Sequence, residues 1–486
     1  MNTFNKKSLY VAIAAIGAVG AGSAQAVNIA TDGLGNALIY PYYTVNNNPY
    51  GQAYNTLLSV VNTTASTKVV KMRFREGKNS REVLDFNIFL SPFDVWTAVV
   101  TPTSAGGGHI ATADNSCTIP KFPAGGVDFR NLAYAGDGGG DAITRSAEGY
   151  VEVFEMATYT LASVTGANSK HDSTGVPKNC AAVTDTTASA EAQPVQGGLF
   201  GGVIIVNPAG GGATTQNAEP LANFYPAGYA QYYTTGSVGP TYSDASPISA
   251  MVSAGTFYRS TWPGAGFING GVQAVTAVLM ANQVYNEYVL DTGTQSATEW
   301  VLTSPTKFQH TDHAAPADAP YTTVWDKKAG GACEGFTAII FNREEGTPQV
   351  VNPGDFSPQP GPAPGTVMCW ESNLIAFATS PATPVNLFGS ANRYVLSTPY
   401  TNGWAVISYN DALSVPPVVH TVANATTVST VLATGAAGPT TVTYFGLPVI
   451  GFASETFNNT ALTINGKAYL STFGAEFTHR LQTKVQ

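Results

Sequence analysis

Between residues 57 and 100 the chain alternates apolar and polar positions. In Val70-Lys71-Met72-Arg73-Phe74-Arg75 apolar side chains and cations take strict turns. Successive side chains of a strand point to opposite faces, so a period of two predicts a half-buried β-strand. Leu84, Phe86, Ile88 and Leu90 repeat the pattern with Asp85 and Asn87 between them, and Glu76-Gly77-Lys78-Asn79 supplies the turn. A lone hairpin is marginal in water. The apolar stretches at 57–61, 95–100 and 150–156 are therefore expected to supply a covering sheet. The segment 27–156 is predicted to be an Ig-like antiparallel sandwich, with Val70, Met72, Phe74, Leu84, Phe86, Ile88 and Leu90 in its core. Lys71, Arg73 and Arg75 are expected to face water. On this reading Phe86→Ala costs about 3–5 kcal/mol, and Lys71→Ala stays within roughly 0.5 kcal/mol.

Further along, the pattern loosens. Residues 101–148 and 158–197 are long irregular insertions rich in glycine, alanine and polar residues, each holding one cysteine. Residues 199–206 are a continuous apolar strand with Gly201-Gly202 inside it. Residues 272–282 come nearest to a helix, since Val275, Val278, Leu279 and Asn282 fit helical spacing in part, although the β-branched content keeps a strand open. Strands are expected again at 338–341, 374–377 and 404–409. Five prolines between 352 and 365 read as polyproline II. Long helical periodicity is absent. The fold class is mainly β: Ig-like antiparallel β-sandwiches with long Gly/Pro-rich loop insertions and few helices. The domains are expected at 27–157, 158–320 (ending in a loop that carries Pro316 and Pro320) and 321–486.

The N-terminus changes the compartment. Lys6 and Lys7 precede an apolar run of 11 residues, and Ala24-Gln25-Ala26 offers a cleavage site before Val27. This is the layout of a signal peptide over 1–26, and the run is too short to span a bilayer. No later apolar stretch is long enough to span one. The protein is expected to be exported: on the cell surface, extracellular or periplasmic. Its four cysteines, Cys117, Cys180, Cys333 and Cys369, then read as two disulfides. Three connectivities exist, and the local pairs Cys117–Cys180 and Cys333–Cys369 are favoured. Charged residues are only 11% of the chain and the net charge is −9, which excludes nucleic-acid binding through a basic surface.

Candidate chemistry is thin. Asp32-Gly33-Leu34-Gly35-Asn36 precedes a strand instead of opening a helix, so it is a turn and not a dinucleotide loop. His310-Thr311-Asp312-His313 is the densest cluster of metal-ligand types, with His310, Asp312 and His313 as candidate ligands against the plainer reading of an exposed loop. Asp137-Gly138-Gly139-Gly140-Asp141 places the carboxylates of Asp137 and Asp141 on a glycine loop, where Ca2+ would find oxygen ligands. Glu152 and Glu155 share a strand but point to opposite faces, so they make a poor pair for glycoside hydrolysis. Glu334 and Glu455 are the remaining acids considered. Tyr40, Tyr42, Tyr43, Tyr50 and Tyr54 form the richest aromatic cluster. Tyr40, Tyr42 and Tyr43 are the candidate sugar-stacking platform, with core packing as the alternative. No catalytic residue is indicated.

Three stretches are familiar together: Thr31-Asp32-Gly33-Leu34-Gly35-Asn36-Ala37-Leu38-Ile39-Tyr40-Pro41-Tyr42-Tyr43, then Tyr285-Asn286-Glu287-Tyr288-Val289-Leu290-Asp291 with Trp300-Val301, and Gly446-Leu447-Pro448-Val449-Ile450-Gly451-Phe452-Ala453. In these the chain resembles a group of secreted proteobacterial cell-surface proteins. The resemblance implies a location and carries over no catalytic residue. The functional expectation is a surface structural or interaction protein, S-layer-like, sheath-like or adhesin-like, that self-associates or meets a surface glycan. The alternative is a secreted carbohydrate-binding protein or glycan-active enzyme.

Overall fold

The computed structural model describes residues 25–134, 136–346, 367–379, 386–409, 419–429, 440–458, 463–465, 467–468 and 472–486. Residues 1–24 of the expected signal peptide and the proline-rich stretch 352–365 lie outside the described residues.

The chain is mainly β. Its first half is built on β1 (Ala37–Thr44), β2 (Asn55–Asn62), β3 (Thr67–Glu76), β4 (Glu82–Leu90), β5 (Val95–Pro102), β6 (Glu148–Tyr159), β7 (Leu199–Val206) and β8 (Ala213–Asn217). Seven strands form one antiparallel sheet in the order Asn28–Ile29, Glu219–Ala222, β1, β6, β3, β4, Cys117–Ile119. Six form the second, in the order β8, β7, β2, β5, Gly108–Ala111, Val127–Asp128. Val70, Met72, Phe74, Phe86, Ile88 and Leu90 meet Leu58, Val60, Trp96 and Val203 between the sheets, with Leu84 packed at the margin. The hairpin and its apolar face stand as expected.

Three expectations change. The stretch 150–156 belongs to β6, which lies beside β3 with Tyr150 opposite Arg75 and Val153 opposite Met72, not in the covering sheet. The sandwich does not close at 157, because β7, β8 and Glu219–Ala222 complete its two sheets. Nor are Lys71, Arg73 and Arg75 in water: Lys71 and Arg73 are 0% exposed and Arg75 is buried. The reason is a strap, 225–245, that crosses the outer face of the seven-stranded sheet. Arg73 Nη1 donates to Pro240 O and Nη2 to Val238 O, each at 2.8 Å. Acids on the flanking strands answer the cations. Lys71 pairs with Asp85 at 2.8 Å, Arg73 with Glu82 at 2.9 Å, and Arg75 with Glu152 at 2.9 Å. Glu155, on the inner face, pairs with Lys68 at 2.6 Å, so the two acids do point to opposite faces.

The second half is built on β9 (Ile248–Ser253), β10 (Thr256–Thr261), β11 (Gln283–Val289), β12 (Ala297–Thr303), β13 (Thr337–Asn342), β14 (Ser372–Ala378) and β15 (Arg393–Ser397), followed by β16 (Asn402–Ser408), β17 (Val419–Ser429), β18 (Thr440–Phe445), β19 (Ile450–Asn458) and β20 (Thr472–Thr478). A sheet β13-β16-β11-(Arg480–Gln482) faces a sheet β15-β14-β12-β19-β20. Between them lie Val284, Tyr288, Trp300, Leu302, Ile340, Ile375, Phe377 and Ile407. Because β11 and β12 pair with strands from beyond 321, the expected boundary at 320 does not divide the fold. A third sheet, β9-β10-β17-β18-(Lys484–Val485), closes over the helix Gly270–Leu279. That helix meets the expectation for 272–282, begins two residues earlier, and ends at Leu279. Asn269 caps it, accepting from Val272 N at 3.1 Å. All ten of its residues are buried against Phe154, Phe224, Tyr242 and Trp262.

Both local cysteine pairs are bonded, Cys117–Cys180 and Cys333–Cys369. Among the described residues no helix is long and apolar enough to cross a membrane.

Candidate functional site

The two sandwiches meet along a seam where Tyr42, Tyr54, Ile205, Leu374, Leu387, Phe388 and Phe452 pack together. Above this seam lies a cleft of about 560 Å³, within the range of small-ligand sites. Two tight turns of the first sandwich make one wall. In the first, Asn48 Oδ1 accepts from both Tyr50 N and Gln52 N at 3.0 Å, and Asn48 Nδ2 donates to Gln52 Oε1 at 2.9 Å. Gly51 completes the turn at φ +75°. The result lifts the Tyr50 ring into solvent, 71% exposed. The second turn is Asn207-Pro208-Ala209-Gly210-Gly211-Gly212, where Asn207 Oδ1 accepts from Gly210 N at 2.8 Å. A Cβ on Gly210 would sit 2.4 Å from Gln52 Oε1, so a larger residue there would push the Gln52 amide away from Asn48.

Gln295, Ala297, Ser454, Thr456, Asn458, Thr472 and Gly474 of the second sandwich make the facing wall. The walls are stitched together: Thr214 Oγ1 and Ser454 Oγ lie 3.0 Å apart, and Thr472 Oγ1 donates to Gly210 O at 3.0 Å. Tyr54, Ile205, Leu387 and Phe388 form the floor. Tyr54 donates its hydroxyl to Leu387 O at 3.0 Å. Beneath the floor, the fully buried Glu299 accepts from Leu387 N at 2.9 Å and Phe388 N at 3.0 Å. Burial pushes its carboxyl up to about 7. Among the described residues, no charged side chain lines the cleft. Amides, hydroxyls, backbone groups and one presented aromatic ring are what it offers a ligand.

The other candidates disperse. Tyr40, Tyr42 and Tyr43 are each 0% exposed, so they form no platform. Tyr40 and Tyr43 fill the first core, and Tyr42 donates to Glu148 at 2.6 Å under the seam. Of the five tyrosines, Tyr50 and Tyr54 are the ones that reach the cleft.

His310 is buried with Nε2 2.7 Å from Thr276 Oγ1. Asp312 pairs with Arg81 at 2.9 Å, and His313 stacks on Phe267 and faces Asp318 at 3.1 Å. The three do not converge, and no group of three metal-ligating side chains exists among the described residues.

Asp137 is buried and gripped by Arg145, whose Nη1 and Nη2 each donate at 2.7 Å, and by Arg81 at 3.2 Å. Burial acts to raise its pKa, but these donors and Gly139 N outweigh it and hold the carboxyl below its ordinary value. Asp141 is exposed. The glycines between them serve close approach, since a Cβ on Gly138 would strike Lys327 O at 1.7 Å. Glu334 binds the backbone N–H groups of Thr322 and Thr323 at 2.6 and 3.1 Å, and Glu455 is buried in β19.

No family model, no curated protein and no solved structure matches the chain.

Proposed function

We propose that this is an adhesin-like surface interaction protein that binds a neutral glycan in the cleft between its sandwiches. The observation that carries the reading is the uncharged lining around a solvent-exposed Tyr50. A sugar ring presents an apolar C–H face and a rim of hydroxyls. An aromatic ring takes the first, and amides and hydroxyls take the second at low desolvation cost compared with ions. The two disulfides and the lack, among the described residues, of a membrane-crossing helix are compatible with export. Together with the resemblance in sequence they support placing the protein at the cell surface.

The test is a neutral oligosaccharide array followed by calorimetry. Binding is expected to persist unchanged in high salt, because no ion pair is involved. Tyr50→Ala is expected to weaken it about tenfold, roughly 1.4 kcal/mol. An array silent for neutral sugars, or wild-type affinity in Tyr50→Ala, would remove the reading.

A self-associating role has its own support. The outer face of the six-stranded sheet carries Leu57, Val95, Phe200 and Ile204, all exposed. A monomer seldom leaves apolar residues so close together in water. Sedimentation of the purified protein, with Ile204→Lys and Leu57→Lys as the disrupted form, separates the two roles.

A further inference from the structure

Strand β13, Thr337-Ala338-Ile339-Ile340-Phe341-Asn342, is the outermost strand of the sheet β13-β16-β11-(Arg480–Gln482). Its neighbour β16 takes up half of its backbone groups, and the register says which half. Tyr409 N, one residue past β16, donates to Asn282 O on the β11 side at 3.0 Å. Successive residues of a strand turn their N–H and C=O groups to opposite sides. Ser408, Val406 and Trp404 therefore bond toward β13, where their partners are Thr337, Ile339 and Phe341. Ala338 and Ile340 point their N–H and C=O groups outward, and among the described residues no strand or hydrogen bond meets them. Asn342 points outward too, but its N–H is taken by Gly346 O at 3.0 Å.

An open edge is a template for another strand, and natural sheets guard it with a charge, a proline, a bulge or a cover. The six residues of β13 are uncharged, include no proline and run beside β16 without a register shift. The other long edges among the described residues are guarded. Val27 bonds along β9, its N–H donating to Ile248 O at 2.7 Å and its O accepting from Ala250 N at 2.9 Å. β8 and β20 lie against each other, so close that a Cβ on Gly474 would sit 2.3 Å from Ala213 O. β15 opens on the cation Arg393. The side chains at β13 favour contact instead: Ile339 is 43% exposed, and Phe341 stacks at 4.2 Å on Trp404, itself 39% exposed.

We propose that β13 pairs antiparallel with β13 of a second copy of this chain across a two-fold axis at Ile339, joining two four-stranded sheets into one. A second copy is the occupant the strand fits, because an uncharged strand meets no like charge in its own image. The axis at Ile339 uses only free groups: Ala338 of each copy exchanges both bonds with Ile340 of the other. An axis at Ile340 would need the Asn342 N–H that Gly346 O already holds. At Ile339 the two copies of that side chain face each other in a non-hydrogen-bonded pair and cover each other. No residue of β13 lines the cleft or the groove on the six-stranded sheet, so this contact is separate from both surfaces discussed above.

Ile339→Cys tests the register. All four native cysteines are bonded, so the new thiol is the one free thiol in the chain. Opposed Cα atoms in such a pair lie about 4.5 Å apart, within disulfide reach. Under mild oxidation Ile339→Cys is expected to give a disulfide-linked dimer about tenfold or more faster than Val238→Cys, because pairing raises the effective concentration of the thiols. Val238 is 83% exposed and reports chance collision. The cross-link should persist when Leu57→Lys and Ile204→Lys are added. It should fall to the Val238→Cys rate with Ala338→Pro, which removes an outward N–H where an edge strand tolerates proline. Sedimentation of the Leu57→Lys, Ile204→Lys chain should show a concentration-dependent dimer. Adding Ile339→Lys, which sets two cations face to face, should return it to a monomer with unchanged circular dichroism. Cross-linking no faster than at Val238, a monomer at every concentration in that double variant, or a dimer that survives Ile339→Lys would overturn the proposal.

Discussion

Arg73 shows how much a single side chain can hold here. Its guanidinium is 0% exposed, pairs with Glu82 at 2.9 Å and donates to two carbonyls of the strap. Truncating one partner of a buried ion pair strands the other charge, at about 3–5 kcal/mol. Arg73→Ala and Lys71→Ala are each expected to lose stability on that scale, comparable to Phe86→Ala, with urea midpoints as the measurement. A loss under about 0.5 kcal/mol for Lys71→Ala would restore the solvent-facing assignment. Alternation alone could not have revealed this, because a period of two says which residues share a face and not what covers the face. One signal was present: nine charged residues crowd between Lys68 and Asp85 in a chain that is only 11% charged. That both signs appear at neighbouring strand positions is what a buried charge layer looks like in sequence.

The helix Gly270–Leu279 was harder to read for an opposite reason. With all ten residues buried, it has no polar face, so the 3.6-residue period that marks a surface helix is muted. Its glycines are where the element is most demanding. A Cβ on Gly271 would lie 2.7 Å from Ala245 O and 2.8 Å from Tyr242 O. Although alanine favours helices, Gly271→Ala is expected to destabilise by about 1–3 kcal/mol through overpacking, read by thermal or chemical unfolding. The strands were legible because their inner faces are apolar and their turns are polar. The adjacency of β6 to β3 was not legible, because it rests on the match of Glu152 to Arg75 across 77 residues of sequence.

At the scale of the molecule, acids that are buried (Glu299, Glu455) or half-buried (Glu219, Glu476) set the response to pH. Burial pushes Glu219, Glu299 and Glu455 up to about 7 and Glu476 up to about 8, from an ordinary 4.5. Between pH 4.5 and those values the folded chain holds more protons than the unfolded one, so stability rises as pH falls through that window. His479, which burial pushes down to about 3 from 6.5, works the other way, but only below pH 6.5. The melting temperature is therefore expected to be higher at about pH 6 than at about pH 8, and a calorimetric scan showing the reverse would contradict these burials. The cleft too is a property of the whole: its lining comes from six separated stretches of chain, so no motif in the sequence could announce it beyond the tyrosine cluster and the Asn207 glycine turn.

The strand order also governs timing. β2 sits between β5 and β7, and β1 between β6 and Glu219–Ala222. A growing chain therefore cannot close the first sandwich until about two hundred residues have emerged. The edge strand Asn28–Ile29 must wait for residues 221–222, and Val27 for Ile248. Pairings of such span are slow to find, and each sheet has an unpaired edge while it waits. Assembly of this molecule should thus be late and collective rather than progressive. A nascent chain stopped near residue 160 would have its hairpin of β3 and β4 but no closed sandwich.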